Sequence, residues 1–119
     1  MLKQISDALK TTGKRVFYGM AGTLDGEDIW DYIVFFRSSL SSTGGKSGMA
    51  DTYEVAIIQE DYIADETVAA VIEAMTSIPG MRLKDGDMLY NYSRKPNTGA
   101  VVEILTIDFV KPKKVCHGG

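Results

Sequence analysis

The amino-acid sequence predicts an α+β fold, in which a mainly antiparallel sheet of about five strands carries two helices on one face. Two segments have apolar residues at helical spacing, and five others are rich in the β-branched and aromatic residues that strands favour. Their order along the chain is helix, strand, strand, strand, helix, strand, strand. This order indicates an α+β domain, because a parallel α/β sheet would alternate strands with helices.

The first predicted helix covers residues 2–12. Leu2, Ile5 and Leu9 recur at helical spacing between polar residues, and Gly13 lies where such a helix should end. The pattern therefore predicts an amphipathic helix with one apolar face.

Two strands are predicted at residues 15–20 and 30–37, where aromatic and β-branched residues are frequent. The following segment, residues 38–51, contains five serines and three glycines. Such a composition does little to fix one backbone conformation. We therefore expect a long mobile loop there, inside the domain rather than between two domains.

The second half of the chain predicts one more helix and three more strands. A strand at residues 52–59 precedes a helix that begins near Asp65 and ends before Pro79 and Gly80. Strands at 88–93 and 100–110 should form a hairpin around the turn at 96–99. Both faces of the last strand carry apolar residues, which predicts a central position in the sheet.

Length and charge narrow the possible functions. The 119 residues form a single domain, residues 1–119, and the flexible end is expected at 112–119. The net charge of −3 leaves no basic surplus to neutralise phosphates, which argues against nucleic acid as the main ligand. No apolar run is long enough to cross a bilayer, so we expect no membrane partner and synthesis in the cytoplasm.

The sequence predicts no catalytic residues, no cofactor and no metal site. The single cysteine, Cys116, adjoins His117 on the expected flexible end, where no attacking geometry can be held. The Gly-Gly-Lys-Ser segment that begins at Gly44 resembles the end of a phosphate-binding loop, but it lacks the upstream glycine and the following helix. The chain is therefore predicted not to be an enzyme.

An acidic cluster precedes the second predicted strand and contains Asp25, Glu27 and Asp28. Calcium would need several oxygen ligands converging on one loop, and the spacing matches no calcium-loop pattern. We interpret the cluster as a solvated acidic turn.

Several segments carry a resemblance that depends on their order along nearly the whole chain. They are Val16-Phe17-Tyr18-Gly19, Asp31-Tyr32-Ile33-Val34-Phe35-Phe36, Asp51-Thr52-Tyr53-Glu54-Val55-Ala56-Ile57-Ile58, Asp65-Glu66-Thr67-Val68, Pro79-Gly80-Met81 and Val102-Glu103-Ile104-Leu105-Thr106-Ile107-Asp108-Phe109. In this order the sequence resembles the small tail terminator and head-tail joining proteins of long-tailed bacteriophages, which lie at the neck of the particle.

The resemblance implies a structural function in the virion. Identical copies, six by expectation, would close into a ring at the head-proximal end of the tail, stop polymerisation of the tail tube and present a surface for head attachment. The implied partners are further copies of the chain, the tail tube protein and a head-completion or connector protein. DNA would pass through the lumen without specific binding, and the acidic residues Asp25, Glu27 and Asp28 would face it and keep DNA from sticking.

Contacts with these partners are expected from the mobile loop and from basic residues near the hairpin and the last strand. The candidate residues are Ser42, Gly44, Lys46, Met49, Arg94, Lys95 and Lys111. Arg94 and Lys95 would join the lysines near the C-terminus in one basic patch if the hairpin turn lies beside that end, and such a patch would steer an acidic neighbour.

Two alternatives remain open at this stage. One is another head-tail connector or head-closure protein. The other, from a different class, is a small ligand-binding or regulatory module that uses the aromatic strand and the mobile loop as a pocket lid.

Overall fold

A computed structural model describes residues 1–19, 30–42, 48–95 and 99–114 of the chain. The two helices are α1 (Leu2–Lys10) and α2 (Asp65–Thr76). The strands are β1 (Arg15–Tyr18), β2 (Asp31–Ser42), β3 (Gly48–Glu60), β4 (Arg82–Leu83), β5 (Leu89–Arg94) and β6 (Val101–Lys114).

The strands form one six-stranded sheet in the order β1-β2-β3-β6-β4, and β5 pairs with β6 beyond the end of β4. All pairs are antiparallel except β1 with β2, which run parallel. This confirms the predicted α+β class and the order of the elements, while β4, a two-residue strand, was not predicted. The predicted hairpin corresponds to β5 and β6, and β6 is central because β3 pairs along one side and β4 and β5 along the other.

Both helices cover the same face of the sheet. Ile5 and Leu9 of α1 are fully buried, as are Val71 and Met75 of α2. These side chains pack in one core with sheet residues of the same face, namely Ile33, Phe35, Tyr53, Val55, Ile57, Leu105, Ile107 and Phe109. Helix α1 ends at Lys10, two residues before the predicted end, and Gly13 in the following turn takes a positive φ of 85° that a side chain would strain.

The prediction of a loop over residues 38–51 was wrong at both ends. Strand β2 continues to Ser42 and β3 begins at Gly48, and the two pair from Ser39 opposite Thr52 to Ser42 opposite Met49. The pairing uses backbone N–H and C=O groups, which serines and glycines supply as well as any other residue. The centre of the predicted loop, residues 43–47, lies outside the described residues.

The predicted flexible end also began too early. Residues 112–114 continue β6 and pair with the first residues of β3, with Pro112 opposite Ala50 and Lys114 opposite Gly48. The rest of that segment, including Cys116 and His117, lies outside the described residues.

The far ends of β2, β3 and β6 extend past the helices as a three-stranded projection. We call it the arm, formed by residues 39–42, 48–51 and 111–114. It begins at a β-bulge, where Ser38 is an extra residue between Arg37, opposite Tyr53, and Ser39, opposite Thr52. The domain measures 57 × 29 × 23 Å as a result of this extension.

Candidate interaction surfaces

The sheet face opposite the helices carries a second apolar cluster, and we call it the open face. Val34, Ile58 and Val102 form its buried centre, with 8%, 6% and 0% of their surface exposed. Half-buried residues surround this centre: Phe17, Trp30, Tyr32, Phe36, Ala56 and Ile104. No member of the cluster belongs to either described helix, so strands and the residue before β2 build this apolar surface alone.

Aromatic packing orders one side of the open face. The ring of Phe17 on β1 meets the ring of Tyr32 on β2 edge to face, with their centroids 5.7 Å apart. Such pairs stabilise by about 1 kcal/mol beyond the area that they bury. Burial also raises the pKa of the Tyr32 hydroxyl above its usual value.

Two carboxylates lie opposite each other toward the arm end of the open face. Glu54 of β3 is the direct cross-strand partner of Asp108 of β6. Burial raises the pKa of Glu54, and the charge of Asp108 raises it further. Within the described part of the chain, no cation forms an ion pair with either carboxylate. The open face therefore combines apolar surface with concentrated negative charge.

Strand β5 forms one edge of the sheet and is exposed along its whole length. The side chains of Leu89, Tyr90 and Tyr92 are 62%, 47% and 63% exposed. The Tyr92 hydroxyl bonds to Glu103 on the neighbouring strand, and this bond raises the pKa of Tyr92. The same carboxylate accepts the Ile63 backbone N–H at 2.9 Å. No described strand pairs with the outer side of β5.

Strand β1 forms the opposite edge of the sheet. Its outer side meets no other strand among the described residues. Tyr18 is 49% exposed there, and its ring packs edge to face on Phe35 with centroids 5.3 Å apart. Among the described residues, no strand pairs with the outer side of β1 or of β5, and edges of this kind with apolar side chains are templates for a further strand.

A groove of about 600 Å³ lies between the start of α1 and the base of the arm. Its lining combines apolar residues, three cationic side chains and one carboxylate: Met1, Leu2, Lys3, Arg37, Asp51, Tyr53, Lys111 and Pro112. The Tyr53 hydroxyl lies 3.4 Å from the Asp51 carboxylate, and burial followed by this neighbouring charge raises the pKa of Tyr53. The Arg37 side chain also bonds to the Tyr18 hydroxyl on β1.

The predicted partner-contact residues are distributed over separate parts of the molecule. Lys111 lines the groove and Met49 lies half-buried in the arm. Arg94 is exposed and donates to the Gly99 carbonyl at 3.1 Å. Lys95 is only 7% exposed, and its Nζ lies 3.2 Å from Oε2 of Glu60, so it forms an internal ion pair.

The prediction that these basic residues form a single patch was wrong. Arg94 pairs with Val101 at the start of β6, whereas Lys111 lies ten residues further along the same strand. At about 3.3 Å per residue, the two positions are about 33 Å apart. Arg94 and Lys111 therefore lie at opposite ends of β6.

The remaining candidates fall partly or wholly outside the described residues. The backbone of Ser42 ends β2 in the arm. Gly44 and Lys46 lie outside the described ranges, as do the acidic residues Asp25, Glu27 and Asp28. Their predicted contacts with partners and with DNA stay predictions.

Sequence reasoning missed the surfaces that depend on register. The alternation of Leu89, Tyr90, Asn91 and Tyr92 marks a strand, but only the pairing shows that this strand is an edge. Glu54 and Asp108 are far apart in sequence, and nothing local predicts that they oppose each other. The groove likewise joins α1 to the arm, a contact that no motif encodes.

The described residues contain no cluster of three or more His, Cys, Asp or Glu side chains placed to hold a metal ion. None of the helices in the described ranges is both long and apolar enough to span a membrane. Comparison with known proteins finds no matching family model and no matching curated protein.

Proposed function

We propose that the chain is a structural protein of a bacteriophage or prophage neck, which assembles as a ring at the head-proximal end of the tail. In this function it stops polymerisation of the tail tube and presents the surface to which the head attaches. Tail terminator is preferred over a neighbouring connector or head-closure protein, because the order of the segments follows the terminator pattern over nearly the whole chain.

One observation supports the proposal above all: the described sheet has an apolar cluster on the face opposite the helices and exposed apolar side chains at both edges. Neither described helix contributes to the cluster around Val34 and Ile58, and Leu89 and Tyr92 are more than half exposed at the β5 edge. A small domain with contiguous apolar surface of this kind is typically part of an assembly. A ring built from repeated contacts would cover the edge surfaces in every copy.

The elongated domain also suits a neck protein. Its arm extends the sheet past the helices, so one copy can contact a neighbour along the body and a second protein at the arm. Met49 and Lys111, two of the predicted contact residues, belong to the arm or the groove at its base.

The proposal is tested by electron microscopy of particles from a phage in which a stop codon interrupts this gene early. We expect detached heads, together with tails that are abnormally long. Detached tails of normal length would assign the chain to head joining instead of termination. Complete particles with attached tails of normal length would reject both neck functions. Expression of the intact gene in trans is the control and should restore normal particles.

The groove at the base of the arm favours a second candidate, a small ligand-binding module. Arg37, Lys3 and Lys111 line the groove together with apolar residues and outnumber the single carboxylate, Asp51, so a ligand with an acidic and an apolar part would fit. Titration with a short peptide that contains aspartate and phenylalanine would test it by nuclear magnetic resonance. Saturable shifts at Tyr53 that disappear in Arg37→Ala, with the chain monomeric throughout, would favour this candidate over the ring.

A further inference from the structure

The two outer strands of the described sheet, β1 and β5, lie at the same level across the strands. Five residues form one continuous row on the helix-bearing face: Val16, Ile33, Ile57, Leu105 and Tyr90. The next row lies on the open face: Phe17, Val34, Ala56, Thr106 and Leu89. Each row begins on β1 and ends on β5, so a neighbouring copy could extend both rows without any shift along the strands.

The strand directions allow this extension. Strand β1 runs parallel to β2, and each later step in the rows, to β3, β6 and β5, reverses direction. Strand β5 therefore runs antiparallel to β1. A rotation about an axis along the strands leaves every strand direction unchanged, so it brings β1 of one copy beside β5 of the next in an antiparallel pair.

The backbone hydrogen-bonding groups also match. The Gly19 N–H bonds to the Phe35 carbonyl at 2.9 Å. Because these groups alternate between the two sides of a strand, those of Phe17 face β2 and those of Val16 face outward. The Lys95 N–H bonds to the Ala100 carbonyl at 2.9 Å, so the groups of Tyr90 face outward by the same alternation.

We propose that copies of this chain join head to tail by pairing the outer edge of β1 with the outer edge of β5, with Val16 opposite Tyr90 and Phe17 opposite Leu89. The inference rests on the proposed ring and specifies its interface. The outward groups of Val16 and Tyr90 then form a hydrogen-bonded pair, as the antiparallel pattern requires. A shift by one residue would place outward groups opposite inward ones.

The side chains favour the same register. Phe17 would meet Leu89 on the open face, and Val16 would meet Tyr90 on the helix-bearing face, so each row continues with an apolar contact. Aromatic and β-branched cross-strand pairs of this kind stabilise a sheet. The exposed side chains of Leu89 and Tyr90 would be covered. Each contact uses different surfaces on the two copies, and such a heterologous contact makes a ring when its rotation closes.

Cysteine pairing tests the register on the purified full chain in a Cys116→Ser background. Val16→Cys and Tyr90→Cys are made separately, mixed and oxidised. Paired strand residues lie within the Cα distance that a disulfide needs. We expect a covalent dimer in the mixture, several-fold above the amount in either variant alone. A matched control replaces the second variant with Tyr62→Cys, a tyrosine that is 68% exposed but away from the edge.

Two results would overturn the proposed interface. One is a mixture that yields no more dimer than the Tyr62→Cys control. The other is a dominant dimer of Tyr90→Cys with itself, which would show a two-fold contact between β5 edges. The chain that carries both Val16→Cys and Tyr90→Cys should give a ladder that ends in one closed species, measured by mass spectrometry.

A variant that blocks the outer edge of β5 tests the interface while the fold is kept. Tyr90→Pro removes an outward N–H and leaves the bonds to β6 in place, since proline is tolerated on an outward-facing edge position. Tyr90→Thr keeps the N–H and is the matched control. We expect Tyr90→Pro to abolish the heterotypic cross-link of Phe17→Cys with Leu89→Cys, and Tyr90→Thr to retain it. Retention by both folded variants would contradict the inference.

These tests are independent of the phage experiment. Head-to-tail cross-links in the purified chain, together with normal particles from the interrupted gene, would keep the interface and reject the neck function. Defective particles from the interrupted gene, together with rings that form neither of the two cysteine cross-links, would keep the neck function and reject the interface.

Discussion

Glu54 and Asp108 form a cross-strand pair of like charges, which destabilises the folded state. Their carboxylates oppose each other at the arm end of the open face, and burial together with the charge of Asp108 raises the pKa of Glu54 above its ordinary value of 4.5. The folded state therefore holds the Glu54 proton more tightly than the unfolded state does. Stability contributed by the neutral form is present below the ordinary pKa and is lost as pH rises through the folded pKa.

We expect Glu54→Gln to raise the free energy of unfolding at pH 7 by about 0.2–1 kcal/mol, the usual size of a cross-strand pair interaction. The gain should shrink toward zero near about pH 3, where Glu54 is mostly neutral in both states. Urea denaturation at the two pH values measures it. Glu73→Gln on the exposed surface of α2 is the control. An equal gain at both pH values would show that charge is not the cause.

The ion pair of Lys95 could not be predicted from the sequence. Its position beside Arg94 in a polar turn predicts a solvated cation, but the fold brings Glu60 to 3.2 Å from its Nζ. Lys95→Met would leave the Glu60 carboxylate without its cation while keeping the stem of the side chain. Because Glu60 is 41% exposed, water would compensate for most of the loss. We expect a decrease in thermal stability that is measurable by calorimetry and small beside that of a core truncation.

Among the elements, α1 depends on two buried side chains for its attachment to the sheet. Leu9 is fully buried and packs in the core with Ile5. Truncation of a buried leucine to alanine costs about 2–5 kcal/mol. Leu9→Ala should therefore lower the free energy of unfolding by this amount, whereas Lys10→Ala on the exposed side should have almost no effect. Chemical denaturation followed by circular dichroism makes the comparison.

The bulge in β2 predicts that the chain tolerates the deletion of Ser38. Removal of Ser38 would leave Arg37 opposite Tyr53 and Ser39 opposite Thr52, so every cross-strand partner would be kept. Removal of Ala56 from the regular ladder of β3 would instead turn the following side chains to the wrong face. We expect the chain without Ser38 to fold with a cooperative thermal transition and the chain without Ala56 to fail. Failure of both would indicate that the bulge itself is needed.

Elements differ in how well the sequence reveals them. Helix α1 could be predicted because its apolar spacing and Gly13 are local signals. The serine-rich end of β2 could not, because its strand structure comes from backbone pairing with β3, and composition carries little information about such pairing. The two residues of β4 are a strand only because β6 lies beside them.

For the whole molecule, the parallel pairing of β1 with β2 was the least predictable feature. Consecutive strands suggest an antiparallel pair, and only the complete sheet shows that β1 joins in the opposite sense. Because β1 runs parallel to β2, it runs antiparallel to β5, and this direction determines how β1 of one copy could pair with β5 of another. The candidate surfaces follow from the same long-range register, which explains why the sequence indicated the class of fold but not the sites.

The shape of the domain gives a further prediction. The Cα radius of gyration is 15.9 Å, whereas a compact domain of this length would have about 13.5 Å. A single copy should therefore elute early in size-exclusion chromatography and suggest too large a mass, while light scattering on the same peak gives the mass of one chain. An elution volume typical of a compact 13.0 kDa protein would contradict the extended arm.

The arm also gives the proposed ring a polarity. Rotation about an axis along the strands carries every arm to the same rim, so among the described residues Lys111 lies toward one rim and Arg94 toward the other. The two rims of such a ring differ in shape and in chemistry, so each can bind a different partner.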